Sequence, residues 1–187
     1  MDPVHAAILD LAAQAPLGHV IDLGCGRGQM GVALLEAGSA SSILAIDRDA
    51  PALRQLCHAA DGLPLRTQVT DLSQGSPVDQ ADTILLVDVL YQLPTATQFN
   101  LLRQAASLAR RMIIIRTMDP APGWRTTLNA KVERLGRGRW PTFGERANPL
   151  PPADLAAALA SFGFTVQIRP CAQGTPHAGK LLVGQRV

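Results

Sequence analysis

Two kinds of residue in this chain have types and spacing suited to chemistry. The first is a carboxylate followed by glycines at alternate positions, Asp22-Leu23-Gly24-Cys25-Gly26-Arg27-Gly28. A backbone without Cβ atoms can approach a ligand closely and adopt positive φ, and a helix starting just beyond it presents unpaired N–H groups. That combination binds a nucleotide-like cofactor. The second kind is a set of acids that each follow an apolar run: Asp47, Asp71 and Asp88. Asp47 stands about twenty residues past the glycines, where nucleoside-binding α/β folds place a carboxylate for ribose hydroxyls.

Two registers compete for the glycines. Gly26-Arg27-Gly28-Gln29-Met30-Gly31 has the spacing G-x-G-x-x-G of a dinucleotide fingerprint, which would point to a NAD-dependent oxidoreductase. Taking Gly26 as the first turn glycine would leave Gly24 and the Asp22 carboxylate inside the strand. Taking Gly24 instead ends the strand at Leu23 and puts Asp22 near its carboxyl end.

The elements that must position these residues alternate between strand and helix. Pro3, Val4, Ala7, Ile8 and Leu11 start an amphipathic helix, with Asp2 as its N-cap. Strands are expected at 18–23, 41–46, 65–70, 84–87 and 112–115, with a helix after each of the first two and after the fourth. Ile84-Leu85-Leu86-Val87 is continuously apolar, as in a parallel strand covered on both faces. Asp49 should cap a helix whose Leu53, Leu56, Cys57 and Ala60 face inward, and Thr95 with Gln98 has the spacing of a capping box. From Asp119 to Pro152 the pattern breaks into prolines and arginines around a possible helix at 126–135. A helix with Leu155, Ala158, Leu159 and Phe162 follows, then strands at 164–168 and 180–183 spaced for an antiparallel hairpin. The economical architecture is a single Rossmann-like, doubly wound α/β domain over 1–187, mostly parallel with an antiparallel last strand.

In the Gly24 register the chain resembles the class I S-adenosylmethionine-dependent methyltransferases, whose motif I reads acid-x-Gly-x-Gly-x-Gly. The resemblance runs through Asp47, Asp71-Leu72, and Asp88-Val89-Leu90-Tyr91-Gln92-Leu93-Pro94, a segment that in the family often ends His-Leu-Pro; here Gln92 stands in place of the histidine. It also covers the hairpin-like ending, where a dinucleotide dehydrogenase would add a second mononucleotide half. The resemblance implies S-adenosyl-L-methionine as cofactor. Gly24, Gly26 and Gly28 would admit its methionine half, with Cys25 in the same turn, and Asp22 would order the loop or meet the ammonium. Asp47 would bind ribose, with Arg48 beside it, Asp71 the adenine amine, Leu72 the adenine face, and Asp88 would sit by the methionine moiety. Asp71 and Asp88 also have plain readings, as a turn former and a loop cap.

The implied chemistry is displacement of a methyl group from a sulfonium, in which the protein chiefly aligns the reacting atoms. A general base is optional. Tyr91, His177 and Asp119 are candidates because each falls in a loop at the carboxyl edge of the sheet, with His177 and Tyr91 the catalytic choices. His5, His19 and His58 lack ligand spacing and read as structural or surface residues. The segment 119–152 reads as a lid, and with Arg116 and Trp124, Arg137, Arg139 and Trp140 it would select a small anionic or carrier-bound acceptor.

Composition narrows the partners. The three cysteines lack metal-type spacing, and a net charge of +2 does not point to nucleic acid. No apolar run approaches the roughly 20 residues of a membrane span, and the start lacks signal-peptide character, so a cytoplasmic location is expected. A non-catalytic methyltransferase-like binding subunit is the other alternative, although such a subunit need not retain the acids and glycines.

Overall fold

The central strands of a largely parallel sheet are covered on both faces and have no solvent side to keep polar. In the computed structural model, which describes residues 3–74, 79–120, 148–171 and 179–187, these are β1 (Gly18–Leu23), β4 (Ala81–Val87) and β5 (Ala109–Met118). With β2 (Ala40–Asp47), β3 (Leu65–Val69), β6 (Phe164–Cys171) and β7 (Gly179–Arg186) they form one seven-stranded sheet. Its order is β3-β2-β1-β4-β5-β7-β6. The first five strands pair in parallel, and β7 runs antiparallel to both β5 and β6.

Alternation along each strand sends successive side chains to opposite faces. Val20, Leu85, Ile114 and Val183 meet α1 (Pro3–Gln14), α2 (Gln29–Glu36) and α3 (Ala50–Ala59) on one face. Ile21, Leu23, Ile84, Leu86, Ile113 and Ile115 meet α4 (Thr95–Leu108) and α5 (Pro152–Ser161) on the other. Asp22 shares its parity with Val20, so it belongs to the α1 and α2 face.

Asp49 caps α3 as expected, accepting from Ala52 N at 3.0 Å. Two local expectations need correction. Cys57 is exposed, because α3 buries only the Leu53–Leu56 side. No side-chain cap forms at α4: Gln98 donates instead to the Leu93 and Asn148 carbonyls, and Thr95 Oγ1 accepts from Asn148 Nδ2. The capping-box spacing is present, but a tertiary partner takes both side chains. At the other end of α4, Arg186 donates to the carbonyls of Ala106 and Ala109, with its guanidinium 4.5 Å over the Phe164 ring.

The expected helix at 126–135 lies outside the described residues, as do Trp124, Arg137, Arg139, Trp140 and His177.

Candidate cofactor pocket at the carboxyl end of β1

The glycine turn is stitched to the end of β2. Gly24 N and Cys25 N both donate to the Ile46 carbonyl, at 2.7 and 3.0 Å, and Gly28 N closes the turn on Cys25 O at 2.8 Å. Asp47 Oδ2 accepts from Gly26 N at 2.8 Å, while Oδ1 accepts from Asp49 N at 2.9 Å. Asp47 therefore orders the loop, which is one of the two tasks that the family resemblance implied for Asp22.

Gly24, Gly26 and Gly28 all have positive φ, at 76°, 55° and 70°. Their surroundings differ. A Cβ at Gly24 would collide with Val89 at 2.5 Å and one at Gly28 with Leu56 at 2.3 Å, so both are kept small by the protein's own packing. A Cβ at Gly26 would meet nothing within 4 Å. Gly26 is thus the point of the turn open to an approaching ligand.

Beside this opening lies a pocket of about 170 Å³ lined by Asp22, Gly24, Cys25 and Arg27, by Gln29 and Met30 at the start of α2, by Val87 of β4, and by His5 of α1. Complete sites for larger ligands run from roughly 300 Å³, so this volume suits an amino-acid-sized end of a longer ligand. Asp22 is 2% exposed, and among the described residues none donates a hydrogen bond to it. Burial, and then the nearby Asp47 charge, push its pKa from 3.8 up to about 7. Arg27 lines the same pocket but forms no ion pair with Asp22 among the described residues, and a buried carboxylate without a paired cation is an electrostatic deficit that a positively charged ligand removes. The same arrangement repels a pyrophosphate. Burial, followed by the charges of Asp22 and Asp47, drives the Cys25 thiol far upward, so Cys25 lines the wall as a neutral thiol and offers no thiolate nucleophile.

The remaining predicted positions fall into two groups. Asp71 accepts from Ser73 N at 2.9 Å and Ser73 Oγ at 2.7 Å, the geometry of a turn former, and those bonds hold its carboxyl below the usual range. Leu72 is half-buried against the α4 face, and Arg48 is exposed near Asp71. Asp88, Tyr91 and Arg116 form the second group. Asp88 Oδ1 accepts from the Arg116 guanidinium and, at 3.0 Å, from Tyr91 Oη. Asp88 has φ 61°, and Gln92 Nε2 donates to its carbonyl, fixing the left-handed turn after β4. Burial lowers the Arg116 pKa, but Asp88 and Tyr91 outweigh it, and the guanidinium stays charged. Three residues assigned by sequence to cofactor, catalysis and acceptor are therefore one cluster, with the Arg116 charge matched internally.

Both ends of the Pro/Arg-rich segment reach this edge. Asp119 pairs with Lys180 at 3.5 Å, and Asn148 N donates to Tyr91 O at 2.7 Å. Cys171 and Gly179, which flank the segment holding His177, pair with each other, and Gly179 pairs with Met118 at the carboxyl end of β5.

Sequence reasoning missed His5, Gln29, Met30 and Val87 as pocket walls. The signal for His5 was available, since it precedes the buried Ile8 by one helical turn on the same face.

No curated protein matches the sequence significantly. A family model described as "Methyltransferase domain" matches residues 20–112, which run from β1 into β5. Among solved structures, magnesium protoporphyrin IX methyltransferase from Synechocystis, with bound S-adenosylhomocysteine, is 23% identical; the match covers 98% of this chain and 82% of that one, with a TM-score of 0.76. The N-methyltransferase NodS from Bradyrhizobium japonicum, also in complex with S-adenosylhomocysteine, is 15% identical over 97% of this chain and 85% of that one, with a TM-score of 0.72. An O-methyltransferase family protein from Burkholderia thailandensis is 20% identical with a TM-score of 0.75; 97% of this chain matches 55% of that one. At these identities the likeness is one of fold, and the acceptors named differ. Among the described residues no helix is long and apolar enough to cross a membrane. By the family model, the glycine turn with its acids, and the sheet order with its antiparallel β7, the chain belongs to the class I S-adenosylmethionine-dependent methyltransferases.

Proposed function

We propose that the chain transfers a methyl group from S-adenosylmethionine to a small organic acceptor, anionic or carrier-bound, and that Asp22 with the glycine turn holds the cofactor's methionine end. The observation that carries this reading is the Asp22 carboxylate, buried, unpartnered among the described residues and facing the pocket beside Gly26. Both features fit a cationic amino-acid group. When bound, S-adenosylmethionine supplies a methyl group on a positively charged sulfur, open to displacement by an oxygen, nitrogen or carbon nucleophile. Asp22 binds the ammonium, Gly26 admits the chain between amino acid and ribose, and Asp47 both orders the turn and faces the ribose. Asp71 and Leu72 are the reading for the adenine side, with Asp71 acting mainly through the turn it forms.

On the acceptor side Asp88, Tyr91 and Arg116 form a floor. Tyr91 orients the acceptor there, and His177 is the base where the nucleophile is a hydroxyl. Selection for an anion rests on Arg137 and Arg139 beside Trp140, because the Arg116 charge is already matched by Asp88. Calorimetry with S-adenosylhomocysteine and NAD tests the cofactor reading: the first should bind and the second should not. Binding of NAD alone would restore the oxidoreductase alternative. Binding of S-adenosylhomocysteine without methyl transfer to any anionic or carrier-bound acceptor would favour the binding-subunit reading.

A further inference from the structure

The pocket accounts for only half of a zwitterion. Asp22 answers an ammonium, but the α-carbon that bears it also bears a carboxylate, so a donor must stand within a few ångströms of Asp22 on the same wall. Gly24, Cys25, Met30 and Val87 bring no cation there, and the neutral Cys25 thiol is a weak donor. Arg27 on the turn and Gln29 at the start of α2, the other side-chain donors in the lining, are both exposed. His5 is half-buried, reaches the pocket from α1, and lies one turn before Ile8, which is fully buried in the core and fixes that helix face toward the sheet. It also sits in the first turn of a twelve-residue helix, where backbone N–H groups lack intrahelical partners and the helix dipole favours an anion.

We infer that His5 is the carboxylate-reading residue of the cofactor site, donating from its imidazole, with the first turn of α1, to the α-carboxylate whose ammonium partner is Asp22. This rests on the cofactor reading above and extends it: α1, which lies before the stretch matched by the family model, becomes a wall of the binding site. Two opposed groups on one ligand carbon are then gripped from two elements, Asp22 from β1 and His5 from α1. The amino-acid end is read as a zwitterion, and a ligand missing either charge loses one grip.

The test uses the full chain and two probes: S-adenosylhomocysteine, and its decarboxylated analogue, which keeps the ammonium and lacks the carboxylate. Calorimetry on wild type, His5→Ala, His5→Gln and Arg27→Ala separates the possibilities. His5→Ala should weaken S-adenosylhomocysteine by about tenfold, the low end for a hydrogen bond to a charged group, and leave the analogue unchanged. His5→Gln, which retains an N–H donor, should recover part of the loss. Circular dichroism of His5→Ala matching wild type confirms that α1 still forms. Equal losses for both probes, no loss for either, or a carboxylate-specific loss in Arg27→Ala but not in His5→Ala would overturn the assignment. A wild-type chain that binds neither probe would instead defeat the cofactor reading on which it rests.

Discussion

Replacing Asp22 with asparagine should make the ligand-free protein more stable and the cofactor site weaker, in one nearly isosteric change. The carboxyl pKa rises from 3.8 to about 7 in the fold, chiefly through burial. At about 1.4 kcal/mol per unit, ionising Asp22 in the native state costs on the order of 4 kcal/mol. The native state binds the extra proton between those two values, so wild-type stability falls as pH rises from about 4 to 7 and is level above that. Asparagine has no such proton. Near pH 4 the two proteins should have similar stability, and the variant should gain as pH rises. Because its own amide remains poorly hydrogen-bonded in the same place, a gain of roughly 1–3 kcal/mol at pH 8 is expected. Cofactor binding carries the opposite sign. The wild type must ionise Asp22 to meet an ammonium, so affinity should fall up to about tenfold per unit below pH 7, and the variant should lose that dependence along with at least tenfold in affinity. Urea unfolding at pH 5 and 8, with calorimetry at the same values, reads both. A variant that is destabilised at pH 8, or that binds S-adenosylhomocysteine as well as wild type, would refute the account of Asp22 as an unpaired carboxylate awaiting a cation.

Gly26→Ala places a methyl group in the open space of the turn and strains a φ of 55°, so calorimetry should show binding abolished at a stability cost of about 1–2 kcal/mol. Gly28→Ala collides with Leu56 and should cost more stability than Gly26→Ala by urea unfolding. Arg116→Met leaves Asp88 without its cation; because the Asp88 side chain is 34% exposed, a loss of about 2–3 kcal/mol is expected, less than for a fully buried pair. Adding Asp88→Gly should restore part of that loss, since it removes both the stranded charge and the strain at φ 61°. Asp47→Ala should weaken cofactor binding by about 1.5–3 kcal/mol, whereas Asp71→Ala, a turn former in the structure, should do so by less.

The sheet was legible from the chain because its signals are local and strong. Apolar runs such as 84–87 and the glycine stop of the first strand each mark an edge that tertiary context does not move, and the hairpin-like ending announced the antiparallel β7. What the sequence could not supply was partnership. Gln98 has capping-box spacing with Thr95, yet Asn148, fifty residues away in the chain, takes it. Asp22 and Asp47 are both acids at strand ends, and only the stitching of the turn to β2 shows which one orders the loop and which one faces a pocket. Arg116, Asp88 and Tyr91 read as three separate functions because their convergence depends on β4 and β5 lying side by side. The spacing of His5 to Ile8 marks the face of α1 that turns inward, but that His5 lines a pocket with Asp22 emerges only once α1 packs against α2 and the sheet.

The central claim is that Asp22 is the buried counter-charge for a cationic ligand, and its own titration tests that most directly. Carbon-13 NMR of the Asp22 carboxyl, followed against pH with and without saturating S-adenosylhomocysteine, gives its pKa in each state. The account predicts a value of about 7 in the free protein, and a fall below the ordinary 3.8 once the ammonium is bound. A carboxyl that titrates at the same pH in both states, although S-adenosylhomocysteine is bound, would contradict it.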